Sequence, residues 1–288
     1  MTANKLDFGT PHNDYTALPQ DLKNIVLGRA QFVDGEALTL RFKPYLEVFH
    51  LSKLLVPGVQ IQIDIYFNTP DMWTIRWAGA DTLRLTEADV KVRLFLSQVR
   101  VTPSVYREIM TSMKGGRVAT YPTVRGEIRT YSHPNDNRHF ECSNPFHNQL
   151  PNRLVVVLLK QAAFHGTITE SPFNFGKFNL ASIKQLVRGE EYPYETLELQ
   201  HDGDSKDQRG YFRFLQASGA LCRLKGNMVR KVDWGNGMRC NMCVFDNTAN
   251  GCLDSPVLNP KQEGELCLVI DFGGNPGENL TILLYGEF

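Results

Sequence analysis

The chain is expected to fold as an all-β protein, an antiparallel β-sandwich of the jelly-roll kind, and three observations lead there. Short runs of alternating apolar and polar residues, about four or five before residue 102 and about seven or eight after residue 118, are separated by loops rich in Pro, Gly, Asn and Asp. The stretch GELCLVIDFGGNPGENLTILLYGEF, at 264–288, holds two runs that are apolar on nearly every position, as strands covered on both faces require. No regular alternation of strand and helix exists, which argues against a doubly wound nucleotide-binding sheet.

Residues 1–35 are polar and turn-rich, with Gly9, Pro11, Pro19 and Gly28, and read as an N-terminal arm. The run 36–49 alternates through Leu38, Leu40 and Phe42, breaks at Pro44 and resumes at Leu46 and Val48. Residues 59–67, VQIQIDIYF, alternate without a fault: Val59, Ile61, Ile63, Ile65 and Phe67 share one face, and Gln60, Gln62, Asp64 and Tyr66 the other. Residues 73–77 and 88–101 continue as strands, so 36–101 would be one β unit.

At Thr102 the period changes. In VTPSVYREIMTSMKGG, Thr102 can cap a helix, Pro103 fits its first position, Val105, Ile109 and Met113 share a face, and Gly115-Gly116 ends it. A short helix between two β regions suits an inter-domain linker, placed at 102–118. A second β domain then covers 119–288. Its strands are expected at 119–131, 138–142 and 153–164, where RLVVVLLKQAAF is apolar on both faces. Residues 176–188 suit either a helix or a strand, and strand is the reading adopted. A helix is expected within 207–224, where Tyr211, Phe212, Phe214 and Leu215 lack period-2 order, and a strand at 238–245. The runs at 266–272 and 280–286 would pair as a hairpin across Gly273, Gly274, Asn275, Pro276 and Gly277.

Composition narrows the functional classes. The chain has 288 residues, 42% hydrophobic, which suffices for sizeable cores. Its 31 Lys and Arg balance 31 Asp and Glu, so no net field steers it to nucleic acid or acidic membranes. No run is long enough to span a bilayer and the first two dozen residues hold no apolar signal core. The six cysteines, in a chain too large to need staples, read as reduced thiols.

Candidate chemistry is sparse. Cys240 and Cys243 have metal-ligand spacing, with Cys252 close behind, but a structural zinc site needs four ligands, usually as two such pairs, and no second pair exists. Two small apolar side chains at a strand end is the stronger reading, and no cofactor is expected. His139, Cys142 and Asn144 are the residue types of a thiol hydrolase without its nucleophile elbow or oxyanion helix. Asp202, Asp204 and Asp207 in HDGDSKD resemble a calcium loop only in their spaced oxygens, with the glycine and closing glutamate misplaced, and a solvated loop is the stronger reading. Phe173, Phe175 and Phe178 in SPFNFGKFNL alternate as a core face, an inter-subunit contact or the lining of a ligand slot would. With no catalytic constellation assembled, the chain reads as a structural or binding protein rather than an enzyme.

A resemblance sharpens that reading. From about Phe42 to Phe288, the order VRLFLSQVRVTPSV, NPFHNQLPNRLVVVLL, AFHGTITESPFNFGKFNL and GELCLVIDFGGNPGENLTILLYGEF resembles the major capsid proteins of Maverick/Polinton-type DNA elements and adintoviruses, of the double jelly-roll lineage. QLPNRLVVVLL, SPFNFGKFNL and LLYGEF are its most specific parts. The resemblance implies two jelly rolls side by side, the chain self-associating as a homotrimer that forms a pseudo-hexameric capsomer in a virion capsid. It further implies other capsid proteins as partners, such as a single jelly-roll penton, and a host cytoplasm or nucleus before assembly. It carries over no catalytic, cofactor or metal residues. A first jelly roll should hold about eight strands. Only about half that number fit at 36–101, so the first barrel is expected to be incomplete, as in a fragment of a longer reading frame, and the second complete. A lectin-like jelly-roll binding module and a domesticated relic of a capsid gene are the alternatives.

Overall fold

The computed structural model describes residues 41, 43–44, 47–51, 53–66, 91–121, 123–167, 170, 172–192, 196–199, 207–221, 229, 231, 234, 240–248, 251 and 259–288. The arm at 1–35, the strand expected at 73–77 and the acidic stretch 201–206 lie outside these residues. Four helices and eleven strands are described: α1 (Glu47–His50), α2 (Pro103–Lys114), β1 (Gly126–His133), β2 (His139–Ser143), β3 (Gln149–Leu150), β4 (Arg153–Lys160), α3 (Gln161–His165), β5 (Leu180–Val187), β6 (Glu190–Glu191), β7 (Leu197–Glu198), α4 (Asp207–Ala217), β8 (Met242–Asp246), β9 (Gln262–Glu263), β10 (Leu266–Phe272) and β11 (Leu280–Glu287).

Every ladder is antiparallel, and the strands form two main sheets. One has the order β1-β11-β4-β8; the other runs β2-β10-β5-β6, with β7 also on β5. The pairings nest: β1 lies beside β11, β2 beside β10 and β4 beside β8, so the first strands of the domain meet its last. Among the described residues one apolar core draws Leu154 and Leu158 from β4, Ile282 and Leu284 from β11, and Leu268 and Ile270 from β10. Period-2 alternation puts each such set on one face of its strand, and two sheets bury those faces against each other. Helix α4 closes the side between β7 and β8, bringing Phe214 and Ala217 to Trp234 and Leu199.

The hairpin expected of the last two strands does not form. β10 pairs with β2 and β5, and β11 pairs with β1 and β4, so consecutive strands belong to different sheets. A strand has two edges, and both edges of each are already taken. Their covered faces follow from that central placement. The connection at 273–279 crosses from sheet to sheet, a span of about 10 Å that seven residues bridge easily and a tight turn could not. It is pinned from outside: Arg138 Nε donates to Asn275 Oδ1 at 3.0 Å, Asn179 Nδ2 to the Asn275 carbonyl at 2.8 Å, and the Gly277 amide to Asn135 Oδ1 at 2.7 Å.

Other expectations are trimmed or corrected. α2 forms where Pro103 and Gly115 mark it; Thr102 holds the extended N-cap backbone, but its hydroxyl makes no capping bond and lies 3.3 Å from Ser104 Oγ. The apolar run from 153 keeps strand geometry only to Lys160, where α3 begins. The ambiguous segment 176–188 yields β5, the helix expected within 207–224 is α4, and the strand expected from 238 is β8. The largest corrections come before α2. Residues 59–66 and 91–101 join no ladder, and residues 47–50, expected to extend a strand, are helical. Alternation alone makes a segment able to pair; the pairing also needs a neighbouring edge.

Candidate functional site

Where β4 ends, its carbonyl groups lose β8 as a partner, and the loop at 172–179 takes that place. The Gly176 amide donates to the Leu158 carbonyl at 3.1 Å, and the Asn241 amide donates to the Phe175 carbonyl at 3.0 Å, with Phe175 bridging Cys240 in parallel. Stitched to both sides, the loop walls a cleft of about 350 Å³ lined by Lys160, Asn174, Phe175, Phe178, Trp234 and Asn241, with Ala163, Glu170 and Lys177 also on its walls. That volume is at the lower end of small-ligand pockets.

The walls differ in character. Trp234 is 1% exposed and its indole N–H donates to the Met242 carbonyl at 2.9 Å, which fixes the ring as a rigid wall. Lys160 Nζ lies 2.8 Å from Glu170 and 2.7 Å from Glu278. Burial pulls its pKa down, but the hydrogen bonds and charges of the two carboxylates outweigh it, so the ammonium is held protonated and paired. Asn174 is 8% exposed, and neither its Oδ1 nor its Nδ2 has a hydrogen-bond partner. Exchanging O and N would not help, since both are unpaired. The loop closes through Phe178 at φ 41 and Asn179 at φ 59. Asn tolerates the left-handed region through local hydrogen bonding; an aromatic residue there is strained.

Of the aromatic trio, Phe175 and Phe178 reach the cleft, and Phe173 is largely exposed. Lys160, Asn174 and Asn241 were not foreseen. Asn174, a lone polar residue between Phe173 and Phe175, was the available signal; Lys160 and Asn241 come from segments far apart in the chain.

The cysteine candidates do not gather. Cys243 projects into the core from β8, where burial pushes its thiol pKa up to about 12; Cys240 is buried outside that core cluster. Residues three apart on extended backbone face opposite ways. Cys252 lies outside the described residues. Among the described residues no group of three His, Cys, Asp or Glu side chains is placed to hold a metal. His139 and Cys142 are likewise three apart on β2: His139 Nδ1 is 2.7 Å from Asp271 Oδ1, while Cys142 is buried and hydrogen-bonded to Tyr131, its pKa raised by burial. That separation leaves no thiol–imidazole pair. Asn144, in the left-handed region, instead accepts the Asn148 amide at 2.6 Å.

A second feature is an apolar surface. In the unpaired segments before α2, Ile61, Ile65, Leu94, Phe95, Leu96 and Val99 are all exposed, Phe95 by 74% with Arg41 over its ring. Scattered exposed apolar residues are ordinary, but two runs rich in them are suited to cover by another polypeptide. Among the described residues no helix is long and apolar enough to cross a membrane. No protein-family model and no curated protein matches the chain.

Proposed function

We propose that the chain is a structural capsid subunit of the Maverick/Polinton and adintovirus kind, acting by homotrimeric assembly into a pseudo-hexameric capsomer and not by catalysis. The observation that carries the reading is the nested strand order, β1-β11-β4-β8 in one sheet and β2-β10-β5-β6 in the other. A long antiparallel ribbon rolled up on itself would produce that order, which supports the jelly-roll reading of residues 119–288. The apolar runs at 59–66 and 91–101 support it further, because a subunit that works by assembly must keep surface for its neighbours. In this reading the segment 36–101 is an incomplete first barrel, α2 the linker, and the working environment a virion capsid with a single jelly-roll penton as a further partner.

The test is native mass by light scattering on the size-separated chain, repeated across dilution. A trimer of the 32.7 kDa chain that persists into the micromolar range is the expected result. A monomer at every concentration would overturn the assembly reading.

A further inference from the structure

Asn174 carries an unsatisfied donor and an unsatisfied acceptor on one planar group, inside a cleft walled by Phe175, Phe178 and Trp234. Buried polar atoms are nearly always paired, so an amide with neither atom satisfied calls for a specific explanation. The loop that carries it ends in a second exception, the left-handed aromatic residue Phe178. Its ring lies over Gly176, where a Cβ would stand 2.7 Å from it. Strain and unpaired polarity in one loop mark a segment whose conformation a ligand can improve.

We propose that this cleft receives a neutral, extended segment of a second polypeptide, seating one apolar side chain against the aromatic walls and pairing one peptide unit with Asn174. The chemistry selects this occupant in three ways. An Asn amide offers one donor and one acceptor side by side, matching the N–H and C=O of a peptide. Phe175, Phe178 and Trp234 give the cleft an aromatic face, which suits an apolar side chain. Two lysines line the cleft; Lys160 is already held by Glu170 and Glu278, and Lys177 is engaged as well, so a charged ligand would find no free counter-ion there. Because both amide atoms are screened from water, binding requires the loop 172–179 to shift, and relief of the Phe178 backbone favours that movement. The inference does not depend on trimer formation, since the residues of the cleft all come from one chain.

The experiment is saturation-transfer NMR on the full chain with three probes at millimolar concentration: N-acetyl-L-phenylalaninamide, N-acetyl-L-leucinamide and methyl β-D-glucopyranoside. The expected result is saturation of the two amides and not of the sugar, with Asn174→Leu weakening amide binding at least tenfold while leaving the thermal midpoint equal or higher. A raised midpoint is the mark of a group kept for binding, because leucine removes two unpaired buried atoms. Asn174→Asp, nearly isosteric but without the donor, should also weaken binding and serves if the leucine variant does not fold. Binding unchanged in both variants, preference for the sugar, or no binding of any probe would each overturn the proposal.

Discussion

Ile282 has no exposed surface; on β11 it stands opposite Tyr131 of β1 on one side and Leu158 of β4 on the other. An aspartate there must be buried charged or protonated without partners, at a cost of several kcal/mol against a total stability of about 5–15 kcal/mol. Ile282→Asp is therefore expected to leave the second domain unfolded, visible as loss of strand circular dichroism and of soluble protein. Cys243 makes a pH prediction. Its folded pKa, raised to about 12 by burial, exceeds its unfolded value near 9, so the unfolded chain loses that proton first. Its contribution is fully present below pH 9 and is lost as pH climbs towards 12. Tyr131, raised by burial and by Cys142 to about 12, acts in the same direction from pH 10 upward. Urea midpoints measured from pH 7 to 11 should fall, and fall less steeply in Cys243→Ala; a flat profile in both would contradict the burial of these groups.

At the scale of the element, α4 sets two effects against each other at Gly210. An alanine in a helix interior gains about 1 kcal/mol over glycine. Here its Cβ would stand 2.5 Å from both Leu199 and Trp234, inside the packed side of the sandwich. Overpacking costs about 1–3 kcal/mol, and the tryptophan is fixed by its bond to Met242, so Gly210→Ala should destabilise by about 1 kcal/mol in denaturant titration. The unpaired segments give the opposite contrast. Leu96 is 64% exposed. Leu96→Asp should change single-chain unfolding by no more than about 0.5 kcal/mol. If assembly covers residue 96, losing about 2 kcal/mol of burial should weaken subunit association more than tenfold, read from the same dilution series. An unfolding defect as large as that of Ile282→Asp would instead place Leu96 in a core.

For the whole molecule, the nested topology makes β11 a keystone, since it separates β1 from β4 in one sheet while its side chains face β10 in the other. Removing residues 279–288 would strip two ladders at once and open the apolar core. Such a truncation should be insoluble or bind a hydrophobic dye, whereas shortening the crossover at 273–279 by one glycine should leave a folded protein with a lower midpoint.

Much of the second domain was legible because its signals are local. The runs at 119–131, 153–164, 266–272 and 280–286 announce strands, though 176–188 suited helix and strand alike, and Pro103 with Gly115-Gly116 brackets α2, since steric and hydrogen-bonding preferences act within a few residues. That Leu268, Ile270, Ile282 and Leu284 would be buried followed from apolar runs that tolerate no wet face. The tertiary structure alone decided that β10 and β11 sit in different sheets, because edge availability depends on β2, β5, β1 and β4, which lie up to about 160 residues away. It alone left 59–66 and 91–101 unpaired, because an alternating strand is only half of a ladder. The cleft arose the same way: Lys160, Asn174, Trp234 and Asn241 meet where β4 and β8 part, a place defined by the paths of the strands and by no motif within them.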